Sequence, residues 1–377
     1  MLIKKKEIAL LLIFLSLVVT NLFAENYYFK RYDKENGLSQ QTVFCAVQDR
    51  RGFLWFGTKV GLNRFDGTKF KNYVADPEQP NSLPNNTVLA LAEAPDGSLW
   101  LGTSDGLCIY NPEKDTFAPF VSADLTIEGL IDNLVFDKQG NLWVINSKGI
   151  YCLDVKNGNH KFFSASDFFV PTGITVTQSG SVWVLGLDGN IYLFNPQRME
   201  FSFYPILTKE EKTKHILLYR ILECSNGDLV VTTDRIGARR FSPNNGEVKV
   251  LFSNDSQNNP IYIHTAIQRN KDEFWFGTES GIHIYQLDLG FIDHLQKSYN
   301  DAYSLSDNAV HMLLKDREEG IWVGTFFGGV NYLSNNNTLF DKYLPKDEKG
   351  SIKANVIREI HPDVEGNLWR SEERRVG

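Results

Sequence analysis

Residues 52–66 read GFLWFGTKVGLNRFD, and the same pattern returns at 97–111 as GSLWLGTSDGLCIYN and at 140–154 as GNLWVINSKGIYCLD. Further copies are GSVWVLGLDGNIYLF at 180–194, DEFWFGTESGIHIYQ at 272–286 and GIWVGTFFGGVNYLS at 320–334, with a short one, GNLW, at 366–369. All seven tryptophans of the chain, Trp55, Trp100, Trp143, Trp183, Trp275, Trp322 and Trp369, thus occupy one repeat position. The gaps between them are 45, 43, 40, 92, 47 and 47 residues. The long gap is two units, and its midpoint holds GDLVVTTDRIGARRF at 227–241, where Val230 stands in place of tryptophan. Self-similarity at such a period marks a stacked-repeat architecture. The chain holds seven full units and the beginning of an eighth.

Each unit reads as four short strands. A β-rich stretch (42–47, 87–92) leads into an Asp/Gly turn (49–52, 95–97). The Trp strand, a short loop, a Gly-apolar strand and a fourth strand such as 69–73 follow. Runs of β-branched and aromatic residues between Gly, Asn, Asp and Pro are strand signals, and they exclude a helical solenoid. One such unit cannot bury both its faces, so neighbours must stack, and radial closure protects the edges. The expectation is an all-β fold, a seven-bladed β-propeller of four-stranded antiparallel blades, with an open β-solenoid as the alternative. Trp55, Trp100, Trp143, Trp183, Trp275 and Trp322 are expected to pack as a core between adjacent blades. The Gly-Thr pairs 57–58, 102–103, 277–278 and 324–325 are expected to let the chain turn at the end of the second strand. Two segments compete to close the ring by completing the seventh blade, YFKRY at 28–32 and LFDKY at 339–343.

The 377 residues carry 39 Lys and Arg against 46 Asp and Glu, a formal charge of −7. An acidic chain without a basic stripe argues against direct contact with nucleic acid and against docking on anionic lipid. At the N-terminus, Lys4, Lys5 and Lys6 precede an apolar run over 8–19, then small Ala24 before Glu25. This is the pattern of an export signal over residues 1–24, with an uncleaved anchor as the rival. No later run reaches the 18 or so apolar residues of a spanning helix. The expected location is therefore periplasmic or extracytoplasmic, with the propeller over 25–345. The four cysteines, Cys45, Cys108, Cys152 and Cys224, fall in four different units without a metal or CxxC spacing, and read as buried unpaired thiols.

Within the otherwise constant loop after the Trp strand, two positions vary: Lys59-Val60, Ser104-Asp105, Ser147-Lys148, Leu187-Asp188, Asp234-Arg235, Glu279-Ser280 and Phe326-Phe327. This loop shares a face with the long connections 75–86 and 300–308, and a constant scaffold with variable tips displays a site. Lys59, Asp105, Asp188, Asp234, Arg235, Arg239, Phe326 and Phe327 are the candidate ligand contacts. Unit five departs most, with Asp234, Arg235, Arg239 and Arg240 close together. Such arginines suit a carboxylate or sulfate, against the plainer reading of a solvated charged strand. No HExxH or His-x-His pair is present. His264 and His283 share a unit and His311 lies in the next, but no metal site, cofactor or catalytic nucleophile-base set is read from them. The Asp residues of the turns, such as Asp96 and Asp137, recur and read as structural.

The LWxGTxxGL run, here LWFGTKVGL from Leu54 and LWLGTSDGL from Leu99, together with NGLSQQTV at 36–43, resembles the two-component-regulator propeller repeats. Those repeats form the extracytoplasmic sensor region of hybrid two-component systems of gut Bacteroidetes. The resemblance implies two seven-bladed propellers, a β-sandwich, a membrane segment in the inner membrane, and cytoplasmic kinase, receiver and DNA-binding parts. It also implies detection of glycan breakdown products. This chain corresponds to the signal peptide and first propeller, with 346–377 as the start of an eighth repeat and no kinase activity of its own. RSEERRVG at 370–377 departs from the repeat, and a strand is not expected there. The implied partners are an oligosaccharide, a second copy of the chain or a second propeller, with the membrane reached only through a further C-terminal region or an uncleaved N-terminus. A purely structural or protein-interaction propeller is the alternative function, and a propeller lyase or hydrolase the third.

Overall fold

The computed structural model describes residues 27–335, apart from 123 and 126, and residues 357–372, apart from 366. The export signal and the LFDKY segment lie outside the described residues.

Seven antiparallel sheets of four strands follow one another along the chain. Blade one is Val43–Gln48, Leu54–Thr58, Gly61–Phe65 and Phe70–Tyr73, and each later unit repeats this order. The seventh sheet is completed by the N-terminal strand Lys30–Tyr32, which pairs with Val330–Leu333 in the register Lys30↔Tyr332 to Tyr32↔Val330. The inner strand of blade seven, Val310–Lys315, also packs on that of blade one. The ring is therefore closed, and the chain is a seven-bladed β-propeller.

Seven apolar clusters fill the seven gaps between neighbouring blades. Each tryptophan from Trp55 to Trp322 lies buried in the gap between its own blade and the next, Trp55 against Tyr73, Leu99 and Tyr110, and Trp322 against Tyr32, Val43 and Phe65. Val230 takes that position between blades five and six and is fully buried. The second strand of blades one, two, four, five and seven is buried along its whole length, because it is flanked in its own sheet and covered on both faces by other blades. It reads as a continuous apolar run for that reason.

The turn aspartates hold the tryptophans. Trp55 Nε1 donates to Asp49 Oδ2 at 2.9 Å, Trp143 to Asp137 at 2.9 Å and Trp322 to Asp316 at 2.8 Å, each partner lying six residues earlier. Asp96 belongs elsewhere in the turn and accepts from Ser98 instead. In blade five the aspartate position is Cys224 and the tryptophan position Val230, so donor and acceptor are lost together.

Two expectations are corrected. Gly57 does not make the turn: the strand runs on through Thr58, and the turn falls at Gly61 with φ +97°. Gly57 is required by close approach, since a Cβ there would stand 2.4 Å from Cys45 Sγ and 2.8 Å from the Val88 carbonyl oxygen of the next blade. Blades converge toward the axis, and only glycine fits where they meet. Thr58 then closes the turn, its hydroxyl donating to the Gly61 carbonyl at 2.8 Å. Second, Leu368–Glu372 does form a strand, paired with Ile357–Pro362 in a hairpin. Trp369 and Ile360 of this hairpin face solvent. The hairpin is held by backbone hydrogen bonds, which do not require an apolar side chain at each position.

Candidate functional site

The face of the ring that carries the variable loops is the place to look for a site. The loop amides dock on the connections of the next blade: Gly61 N donates to the Asn86 carbonyl at 2.6 Å and Gly106 N to the Gly129 carbonyl at 2.8 Å. Most predicted contacts remain scattered around this rim. Lys59 and Asp105 are exposed at separate loop tips. Asp188 is occupied locally, accepting from the Tyr192 hydroxyl at 2.7 Å and from Asn190. Asp234 accepts from Leu217 N at 2.9 Å and pairs with Arg235, which also donates to the His215 carbonyl.

The arginine cluster of unit five does not converge. Arg239 is 2% exposed, and its guanidinium pairs with Glu211 at 2.8 Å while donating to the carbonyl oxygens of Ile236 and Phe252. Glu211 lies in the short helix Lys209–Thr213, where it also completes a capping box with Thr208. Arg240, on the opposite face of the strand, pairs with Asp228 at 2.5 Å. The carboxylates that these arginines clamp are the protein's own. The strand is neither a ligand clamp nor a solvated charged strand, because a buried guanidinium requires an internal partner.

What does converge lies on the axis. In six blades the pairing of the innermost strand with the second skips one residue: Phe44, Leu89, Thr172, Tyr219, His264 and His311. In blade three the matching residue, Asp132, precedes the inner strand. Each of the seven stands eleven positions before the Trp position of its unit. A bulge re-aims a side chain that regular pairing would point elsewhere. Bulges in blades one, two, five, six and seven, together with Asp132 of blade three, bring six of the seven residues into one cavity of about 250 Å3, lined by Phe44, Leu89, Leu130, Asp132, Tyr219, Arg220, His264 and His311. Residues from five inner strands, and from just before the sixth, meet only around the axis. Thr172, the exception, donates to the Leu218 carbonyl at 2.9 Å. Arg220 spans the opening, its Nε on the His264 carbonyl at 3.1 Å and Nη1 on Asn133 Oδ1 of blade three at 3.2 Å.

One side of this cavity carries a compact cluster. The His264 and His311 rings stack with centroids 4.2 Å apart and planes 13° from parallel. Glu279, at the loop tip of blade six, places Oε1 2.6 Å from His264 Nε2 and 3.8 Å from His311 Nε2. Phe326 backs His311 with centroids 5.2 Å apart and carries Phe327, which is 70% exposed. Burial, then the neighbouring His264, holds the His311 imidazole down at about 4. Burial and the neighbouring His264 thus favour the neutral form of the His311 ring. Among the described residues, one ligand atom from each of His264, Glu279 and His311 lies within 4.8 Å of the others, a grouping that the reading of the sequence did not make. The three residues are far apart in sequence, but the ring sets the two histidines, 47 positions apart, at one equivalent place in adjacent blades. That separation equals the gap from Trp275 to Trp322, which is the signal that an alignment on the tryptophans carries.

A larger groove of about 550 Å3 lies outside the ring, along residues 71–83 and 115–117. Its carboxylate, Asp115, is engaged by the Tyr73 and Tyr110 hydroxyls at 2.7 and 2.8 Å and by Lys71. Burial pushes that carboxyl up, but these hydrogen bonds prevail and hold it at about 2. The group braces blades one and two.

The fold and repeat define the class. Residues 37–59, 82–105 and 304–327 match the family described as Two component regulator propeller. A stretch of 53 residues is 49% identical to Histidine kinase P4 of Formosa agariphila, covering 14% of this chain and 4% of that protein. The extracellular domain of the hybrid two component system BT3049 from B. thetaiotaomicron superposes with a TM-score of 0.73 at 25% identity, covering 92% of this chain and 47% of that one. That of BT4673 from the same organism follows with a TM-score of 0.71 at 20% identity, over 92% of this chain and 44% of that one. Virginiamycin B lyase from Staphylococcus aureus, at 12% identity and a TM-score of 0.63 over 82% of this chain and 99% of that one, shares the fold alone. The chain therefore carries two-component-regulator propeller repeats and is similar to the extracellular domains of hybrid two-component systems. It spans less than half the length of those solved domains. Among the described residues no helix is long and apolar enough to cross a membrane.

Proposed function

We propose that this propeller is an extracytoplasmic ligand sensor of a hybrid two-component regulator, that it detects breakdown products of complex glycans, and that it has no catalytic activity of its own. The axial cavity carries this reading. Phe44, Tyr219 and the two histidines offer ring faces, while Arg220 and Asp132 offer polar groups, which together suit the apolar face and hydroxyl edge of one sugar ring. Its volume of about 250 Å3 lies below the roughly 300–1,000 Å3 of drug-sized sites. A terminal sugar unit, rather than a long oligosaccharide, is the expected occupant. The test is a thermal unfolding scan of the 377-residue chain against neutral, uronic and sulfated mono- and disaccharides. One chemical class should raise the midpoint saturably. Tyr219→Ala and Arg220→Ala should abolish the rise, whereas Lys59→Ala, on the outer rim, should keep it. A midpoint that no sugar moves would sink a self-contained sugar site in this propeller.

A second reading, a protein-interaction propeller, is favoured by Trp369. It repeats the blade signature, its Nε1 donating to Asp363 Oδ2 at 2.8 Å, yet it is 68% exposed where its six equivalents are buried between blades. A second propeller begun by this hairpin is the partner that would cover it. Light scattering of the chain and of Trp369→Ser tests the competing occupant: a dimer that dissociates in the variant assigns the surface to a second copy of this chain.

A further inference from the structure

His264 and His311 are the only two histidines among the seven axial residues, and they come from adjacent blades. A single carboxylate oxygen of Glu279 reaches both. One ligand atom from each of the three lies within 4.8 Å of the others. In a tetrahedral site with metal-ligand bonds of about 2.0–2.1 Å, ligand atoms stand about 3.3 Å apart. The observed 2.6 and 3.8 Å bracket that spacing; the two imidazoles stack nearly parallel, so at least one ring turns out of the stack when both in-plane lone pairs meet at one cation. His264 and His311 also line the axial cavity.

We propose that His264, His311 and Glu279 bind a divalent first-row transition cation, of which zinc is the type, at the wall of the axial cavity. Two imidazoles and one carboxylate suit a borderline cation, while calcium and magnesium demand oxygen ligands. The site has an anchored frame. The bulges fix both histidines toward the axis, Phe326 packs behind His311, and the His264 backbone is held by Arg220. Glu279 is 54% exposed on its loop and can move onto a cation without disturbing the core. With three protein ligands the cation keeps an open position, as sites that take a further ligand do. A hydroxyl or carboxylate entering the cavity would meet it there. The inference does not depend on the sensing reading, since a cation can be titrated without sugar.

The experiment is a titration of the full chain, after chelator treatment, with Co2+ followed by visible absorption and with Zn2+ followed by calorimetry. One equivalent should bind, with cobalt bands of a four- or five-coordinate site, and Mg2+ and Ca2+ should not compete at a hundredfold excess. His264→Ala, His311→Ala and Glu279→Gln should each weaken binding at least tenfold. His160→Ala, on the outer strand of blade three, should leave it unchanged. Glu279→Gln guards against misfolding because the side chain is exposed. The proposal is overturned if the wild-type chain takes up no stoichiometric cobalt, or if binding survives in a folded His264→Ala/His311→Ala double variant.

Discussion

Asp137 accepts two kinds of hydrogen bond at once: Oδ2 takes the buried Nε1 proton of Trp143 at 2.9 Å, while Oδ1 takes the backbone amides of Gln139 and Asn141. One short side chain thereby fixes the turn and the inter-blade indole together. Asp137→Ala should cost about 1–3 kcal/mol, because it leaves a buried donor without a partner. Asp137→Asn, which keeps an acceptor oxygen, should cost less. Urea unfolding of the two variants compares them directly, and equal costs would show that the turn alone, not the indole, is being held.

Ring closure predicts a second effect. Arg31, on the strand that completes blade seven, donates Nη2 to the Ser304 carbonyl at 2.8 Å and to the Leu305 carbonyl at 3.2 Å. Arg31→Ala should lose about 1.5–3 kcal/mol, the range for hydrogen bonds to a charged group, while Lys30→Ala, exposed beside it, should lose little. Deleting residues 27–32 should bare the edge of Val330–Leu333 and drive self-association visible by size-exclusion chromatography. A monomeric, equally stable deletion would show that this strand is not the clasp.

Two glycines separate sterics from conformation. Gly52 has φ +92° and no atom within 4 Å of an added Cβ, so Gly52→Ala should cost only the left-handed backbone term of about 1–2 kcal/mol. Gly102 has no such φ, but its Cβ would lie 2.4 Å from the Ile131 carbonyl oxygen of blade three. Overpacking against backbone near the axis should make Gly102→Ala the worse variant, at about 3 kcal/mol or more. The reverse ranking in thermal unfolding would contradict close inter-blade contact as the reason for the Gly-Thr motif.

Acid should weaken the fold through its buried histidines as pH falls from about 6.5 toward 4. Burial, then the neighbouring His294, holds the His283 imidazole at about 4, with Asp255 opposing, and His311 is held equally low beside His264, Glu279, Arg220 and Asp307. Unfolded histidine takes its proton near about 6.5. Between these values the unfolded chain binds more protons, so the stability is fully present above about pH 6.5 and lost as pH falls toward 4. For His283, which is almost fully buried, the loss at pH 4 is on the order of 3 kcal/mol. Denaturant midpoints at pH 7 and pH 5 should differ, and His283→Gln should flatten the difference; a flat wild-type profile would refute the assignment.

The periodic tryptophans, the turn residues and the four-strand unit were legible along the chain, because a propeller blade is a local structure made from consecutive residues. By itself the sequence determined the fold class, the number of blades, and the inter-blade position of six of the seven tryptophans. The Asp-Trp bond six residues apart, and the residue eleven before the Trp position, bulged in six of the seven blades, were also written there, but as roles they were invisible. Whether a residue pairs or bulges depends on the neighbouring strand, and a bulge reverses the face on which its side chain emerges.

Closure decided much of the rest. It selected residues 30–32 as the last strand, while the local packing of blade five and the helix before it pairs Arg239 with Glu211 and Arg240 with Asp228. It also brought Phe44 and His311, from opposite ends of the chain, to one cavity beside Glu279. Each repeat specifies the shape of its own blade, but the axis belongs to no single repeat. The chemistry there depends on which six side chains the ring sets around one cavity.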